Sequence, residues 1–315
     1  MRHITNKVVL ITGGTGSFGH TIASKLVELK PKEVRIFSRH ENLQFEMKRE
    51  YPEFNFILGD VRDYDRVDEA MNGVNTVFHA AALKQVPDCE IHPMEAVKTN
   101  IIGAYNVKNL AIKHNVDKVV FISTDKAVKP VNAMGMSKAL QEKIFLSDEF
   151  NHNTTTCIGV RYGNIIGSRG SVIPYFVNLA KNNKPLGVTH PEMTRFLLTL
   201  DNAIDLVFYA LENGKGREIF VRKSPSAKIQ DVAEVIADHY NAKTYIAKIR
   251  PGEKIHETLV QEEEMARTEE KEDYFVIHPR EEFESGRTDE YTSNNAKKLT
   301  KEEIRELLKQ TGWLV

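Results

Sequence analysis

Cysteine is scarce in this chain: Cys89 and Cys157 are the only two in 315 residues, and they form no Cys-x-x-Cys spacing. That excludes a disulfide framework and a cysteine-held zinc site, and leaves both as ordinary free thiols. A surplus of either charge is missing as well, since 43 basic side chains meet 44 acidic ones for a net charge of −1. Without a basic surplus there is no electrostatic case for a nucleic acid or an anionic membrane as partner. Long hydrophobic runs are absent too: no window approaches the ~18 apolar residues of a membrane span. The N-terminal run Val8 to Thr12, behind Lys7, has no small-residue cleavage site after it and reads as a strand rather than a leader. A cytoplasmic, unanchored protein is expected. Neither an internal repeat nor a low-complexity tract breaks the chain.

What is present is a globular composition, 41% hydrophobic and 28% charged, with length enough for one large or two ordinary domains. From residue 7 to about 162 short apolar runs alternate with helical stretches. The strand candidates are Val8–Thr12, Val34–Ser38, Asn55–Leu58, Thr76–Ala80, Lys118–Ser123 and Thr156–Tyr162. They are continuously apolar, as strands buried on both faces of a parallel sheet should be. Amphipathic helices are expected over Ser17–Leu29 and over a long Met94–His114. This pattern predicts an α/β fold, a Rossmann-type doubly wound parallel sheet with a smaller α/β substrate-binding region. Residues 1–165 are expected to form the dinucleotide-binding domain, with 196–225 returning to it. Residues 166–195 and 226–315 are assigned to the substrate region and a C-terminal arm. The charge-dense segment 260–290 reads as a solvated excursion or an arm packed on a neighbouring subunit, the solvated face being preferred.

The first strand runs into TGGTGSFG, where Gly13, Gly16 and Gly19, with Thr15, Ser17 and Phe18 between them, open a helix. Glycines at this spacing let a pyrophosphate approach the backbone and sit on the helix N-terminus. A glycine triplet alone is equally a plain loop; its place after the first strand of a βαβ unit makes the motif credible. At the end of the second strand an acidic residue would favour NAD, but Ser38 and Arg39 stand there. A hydroxyl and a guanidinium suit a 2′-phosphate, so NADP is preferred over NAD. Asp60 and Val61 follow the third strand where the adenine edge would be held, and His79 with Ala80, Ala81 and Ala82 ends the fourth, the alanines small enough for a dinucleotide to lie against the backbone.

The chemical end is expected where Thr124, Asp125 and Lys126 follow the fifth strand. Lys138 lies on the next helix, and Met134, one turn earlier, shares its face. In Tyr-x-x-x-Lys reductases the tyrosine takes a hydroxyl proton; a thioether has no proton and accepts only weakly. Either the site is a silent dinucleotide-binding module, or the acid and base roles have moved to Asp125 and Lys126. A surface ion pair is the bland alternative for those two. A free lysine titrates near ~10.4, so Lys126 as a base is expected to need a depressed pKa.

STDKA, the Met-Gly-x-x-Lys helix start, HAAALKQVP at 79–87, EAVKTNIIG at 95–103, RYGNIIGSRGSVIP at 161–174 and MTRF at 193–196 together resemble the configuration-inverting UDP-N-acetylglucosamine 4,6-dehydratases. These are extended short-chain dehydrogenase/reductases, and the likeness runs from Lys7 to about Asn295, within the branch that carries methionine in place of tyrosine. The resemblance implies a soluble form, NADP as cofactor, and UDP-GlcNAc as substrate. It gives Lys126 the role of base at carbon 5 and Asp125 that of acid toward the departing carbon 6 hydroxyl. Thr124, Lys138 or a water would relay the carbon 4 hydroxyl proton. Asn100 is implied near the cofactor, and Lys84, Asn164, Arg195, Arg250 and Glu253 or Glu257 near the nucleotide sugar. A homo-oligomer is implied, with a hexamer joined partly through 260–290 as the candidate form. His256-Glu257 lacks the second histidine of a zinc protease, so no metal is expected. The rivals are a dehydratase that also epimerises carbon 3, a UDP-sugar 4-epimerase, and a catalytically silent NADP-binding sensor.

Overall fold

The computed structural model describes residues 1–147, 155–168, 170–279 and 283–315. Six strands, β1 (Val8–Thr12), β2 (Glu33–Ser38), β3 (Asn55–Leu58), β4 (Thr76–His79), β5 (Lys118–Ile122) and β6 (Thr156–Arg161), pair in parallel in the order 3-2-1-4-5-6. All five residues of β1 and all four of β4 are buried, which is why these strands read as unbroken apolar runs. The order reverses between β1 and β4, and it is there, at the carboxyl ends of the strands, that a doubly wound sheet opens a crevice. Helices cover both faces. Ile22 and Leu26 pack with Ile204, Val207 and Leu211 on one side, and Val67, Val107 and Leu110 close the other.

The sheet does not stop at β6. Ile219–Arg222 adds a parallel strand, then Tyr274–Ile277 and Thr268–Glu270 add two antiparallel ones, making nine. The expectation for 260–290 is therefore corrected: Phe275, Val276 and Ile277 are buried in the sheet, and Arg280, Glu281 and Glu282 lie outside the described residues. Charge density misled here because the acidic side chains of Glu269 and Glu270 sit at the sheet edge, paired with Lys271, Lys223 and Arg287.

The long helix expected over Met94–His114 is also divided. A short helix, Pro93–Ala96, passes through a π-turn at Val97–Ile102 into Gly103–Lys113. Wider turns of this kind often mark a functional position, and this one carries Asn100. A second core lies beyond the sheet, where the helices Val172–Lys181, Ile229–Tyr240 and Lys301–Gln310 bury Ile173, Phe176, Val232, Ile236, Ile304 and Leu308 together. Among the described residues no helix is long and apolar enough to cross a membrane.

Candidate active site

One cavity of about 660 Å³ runs from the β1–β2 end of the sheet to the second core. Its first half is walled by Gly13, Thr15, Gly16, Ser17, Phe18 and Gly19, by Ser38 and Arg39, by Asp60 and Val61, and by Ala80, Ala81 and Ala82. The glycines are sterically required: a Cβ on Gly13, which adopts φ +69°, would stand 2.8 Å from the Ala81 backbone, and one on Gly19 would strike Gly14. The helix that begins at Ser17 has no side-chain cap and no acidic residue in its first turn. Its free N–H groups therefore face the cavity as an anion site, which fits a dinucleotide pyrophosphate. At the far end Asp60 is held by the Arg62 guanidinium at 2.7 and 2.9 Å and by its backbone N–H, while Arg39 stays 3.8 Å away. Asn100 does not line the cavity. Buried in the π-turn, it donates to Leu83 O and Ser137 Oγ and accepts from Leu83 N, so it fixes the wall that follows the alanines.

The second half is built on one turn. Thr124 caps a 3₁₀ turn over Asp125–Ala127 directly after β5. Gly135, in the helix Ala133–Leu146, lets that turn approach, since a Cβ there would collide with the Lys126 carbonyl. Asn132 caps the helix through the Gly135 N–H. Thr124, Lys126, Met134 and Lys138 line the cavity; Asp125 sits one layer behind them, fully buried. Its Oδ1 accepts from Thr124 Oγ1 at 2.9 Å and from Lys126 Nζ at 3.0 Å, and its Oδ2 has no hydrogen-bond partner among the described residues. Burial raises the Asp125 pKa, against the pull of Lys126, so the carboxyl holds a proton above its ordinary range.

Lys126 departs from expectation. Burial works to lower its pKa, but the Asp125 and Glu257 carboxylates outweigh burial and the pKa is raised. The depressed lysine is Lys138, which burial brings down to about 7. Its Nζ donates to Ile122 O and Gln141 Oε1, each at 2.5 Å, which leaves a neutral amine one lone pair. Nearby His79 is driven by burial to about 3 and stays neutral, its Nδ1 bonded to Thr12 Oγ1. Met134 packs on Cys89 and Ala96, so its thioether forms cavity wall and helix core at once.

Among the expected sugar-nucleotide contacts, Lys84 and Asn164 line the cavity. Arg195, Arg250 and Glu253 do not. The Arg195 guanidinium spends its donors on the carbonyls of Thr194, Lys254 and Ile255, and Glu253 folds back onto the Arg250 N–H to close a turn. Glu257 does not line the cavity either and lies 3.3 Å from Lys126 Nζ. Gln85 and the stretch Ile165–Ser168 also wall the cavity; they lie inside the HAAALKQVP and RYGNIIGSRGSVIP motifs without having been singled out as contacts.

Comparison with known proteins places this architecture. Residues 9–279 match the family described as polysaccharide biosynthesis protein. The chain is 47% identical over 326 aligned positions to a UDP-glucose 4-epimerase of Rickettsia rickettsii, covering 96% of this chain and 95% of the relative. Pen from Bacillus thuringiensis, solved by X-ray, superposes with a TM-score of 0.94 at 39% identity, over 99% of both chains. The dTDP-glucose 4,6-dehydratase DesIV of Streptomyces venezuelae shares the fold, with a TM-score of 0.72 at 19% identity over 79% of this chain and 86% of that one.

Proposed function

The chain belongs to the polysaccharide biosynthesis protein family of nucleotide-sugar dehydratases and epimerases, and from that premise we propose that it is an NADP-dependent UDP-GlcNAc 4,6-dehydratase that inverts carbon 5. The product would be the 4-keto-6-deoxy sugar nucleotide of the L-arabino series, destined for surface polysaccharide. The observation that carries this reading is the Asp125–Lys126 pair beside a cavity wall where Met134 occupies the tyrosine position.

NADP, which the glycine turn at Gly13, Gly16 and Gly19 would hold with Ser38 and Arg39 at its adenosine end, would supply hydride chemistry between carbon 4 and carbon 6 of the sugar. Ser38 and Arg39 support NADP over NAD, because a 2′-phosphate beside them meets a hydroxyl and a spare guanidinium. A ketone at carbon 4 acidifies the carbon 5 proton, and Lys126, which lines the cavity, takes it in its neutral form, a minor fraction while Asp125 and Glu257 hold the pKa up. The electron pair of that C–H bond becomes the carbon 5–carbon 6 double bond as the carbon 6 hydroxyl departs with a proton and forms water. Asp125 supplies this proton, and because it stands behind the wall, Thr124 Oγ1 relays it: the hydroxyl, which donates to Asp125 Oδ1 in the resting structure, reverses that bond, accepting from the protonated carboxyl and donating into the cavity. A proton then returns to carbon 5 on the opposite face. The carbon 4 hydroxyl proton falls to Lys138, whose spare lone pair and pKa of about 7 suit a base at neutral pH.

The Rickettsia relatives' name favours a second reading, a UDP-glucose 4-epimerase. It leaves Asp125 and Lys126 without chemical work, while the carbon 4 hydroxyl proton would fall to Lys138 in either reaction. One measurement separates the two: incubation with UDP-GlcNAc in deuterated water, followed by NMR of the product. The expected outcome is a 4-keto-6-deoxy sugar bearing deuterium at carbon 5 in inverted configuration. Unchanged substrate or a carbon 4 epimer overturns the proposal.

A further inference from the structure

The segment RPGEKIHE, residues 250–257, lies outside the cavity wall, yet it is fastened to the catalytic turn at several points. Asn132 Nδ2, at the start of the lysine-bearing helix, donates to Gly252 O at 2.9 Å, and Lys254 Nζ donates to Val128 O at 2.5 Å. Arg195 holds the carbonyls of Lys254 and Ile255 from the strand Thr194–Leu198, and Thr194 N also donates to Ile255 O. Ser293 clasps Glu257 itself: its Oγ accepts from Glu257 N at 2.9 Å, and its N–H donates to Glu257 O at 2.7 Å. The backbone of Glu257 is thereby fixed, and its side chain is buried with 3% exposure against 22% for Lys126.

We propose that Glu257 is a positioning residue for Lys126: its carboxylate, 3.3 Å from Nζ, holds the amine at the cavity wall and stabilises the ammonium that forms when the amine takes a proton. This rests on the reading of Lys126 as the base at carbon 5. The arrangement parallels an acid behind a catalytic base, where a fixed anion gains in value as positive charge develops. Of the cations around it Lys126 is the nearest: the Arg195 guanidinium and the Lys254 ammonium both stand 3.7 Å from the carboxylate, and Glu257 Oε2 makes no hydrogen bond among the described residues. The charged groups facing Lys126 are Asp125 on its own turn, Glu257 and Lys254 on the segment, and Arg195 on the strand. Loss of Glu257 therefore leaves two further cations facing Lys126 with only Asp125, whose proton affinity burial raises, set against them.

The test compares wild type with Glu257→Gln and Glu257→Asp in two assays. In the first, lysines are acylated competitively across a pH series and the Lys126 peptide is quantified by mass spectrometry. Glu257→Gln should move the midpoint of Lys126 reactivity to lower pH by about one unit or more, because an opposite charge at this distance is removed. Glu257→Asp should shift it less. In the second, Glu257→Gln should lower kcat for dehydration roughly 10²-fold with KM nearly unchanged, and move the acidic limb of the kcat profile, where the base loses its proton, to lower pH; Glu257→Asp should recover part of the rate. An unmoved midpoint in folded Glu257→Gln overturns the proposal. If that variant does not fold, an unmoved midpoint and rate in Glu257→Asp overturn it. Wild-type protein inert toward UDP-GlcNAc overturns the dehydratase reading instead, because the acylation midpoint reads the Glu257–Lys126 interaction without turnover.

Discussion

Two buried ionic clusters stand side by side at the carboxyl ends of β5 and β6, and they are built in opposite ways. Arg161, at the end of β6, spends all five guanidinium hydrogens: on both oxygens of Glu142, on both oxygens of Glu264, and on Leu259 O. Ser123 Oγ adds a further bond to Glu142. Nothing in that cluster lines the cavity except Ser123. The Lys126 cluster, after β5, leaves an oxygen of Asp125 and one of Glu257 without hydrogen-bond partners, and its lysine opens onto the cavity. A saturated network rigidifies and joins the sheet to the C-terminal segment; an unsaturated one stores groups that can still exchange protons.

The largest effect that tests this contrast is on rate. Lys126→Ala should lower dehydration by roughly 10³- to 10⁴-fold, as loss of a positioned general base does, while NADP binding persists. Its effect on stability should be small, because the remaining charges can rebalance: Glu257 keeps Arg195 and Lys254, and Asp125, whose pKa burial already raises, takes up a proton. Single-turnover kinetics and urea denaturation of the same preparation check both halves. Retained turnover would remove Lys126 from the mechanism.

Arg161→Met should reverse the pattern. It leaves Glu142 and Glu264 facing one another in the interior without their cation, and breaking a buried pair in this way costs about 3–5 kcal/mol. Denaturant midpoints should fall accordingly, with the activity of the folded fraction largely kept. A variant that loses turnover while holding its stability would erase the distinction between the two clusters.

Residues differed in how far the sequence revealed them, and the reason is distance along the chain. Gly13, Gly16 and Gly19 were legible because a turn, a strand and a helix all lie within a few residues of one another. Thr124, Asp125, Lys126 and Lys138 were legible as a polar block after a buried strand and a helix that follows it. By contrast, the pairing of Lys126 with Glu257 spans 131 positions, and that of Arg161 with Glu264 spans 103. Only tertiary packing decides such partners. Arg195 shows the same limit from the other side: an arginine in a motif reads as a ligand for phosphate, but here the carbonyls of an adjacent segment had already claimed its fork. Tyr274–Ile277 was missed because four apolar residues amid charge carry too little periodicity to stand out.

The smallest effect lies at the cofactor end, where the same contrast recurs in miniature. Asp60 is saturated by Arg62, and Arg39, at 3.8 Å, is beyond hydrogen-bond reach of it. A guanidinium left over in this way, 42% exposed beside the cavity, is available to a 2′-phosphate. Arg39→Ala should therefore weaken NADP binding by roughly tenfold, about 1.4 kcal/mol, and leave NAD binding nearly unchanged, as isothermal titration with each dinucleotide would read. Equal losses for the two would mean that Arg39 serves the adenosine or the wall rather than the phosphate. Wild-type protein that prefers NAD would move the selectivity to Asp60, whose carboxylate would then have to give up part of its hold on Arg62 to reach a ribose hydroxyl.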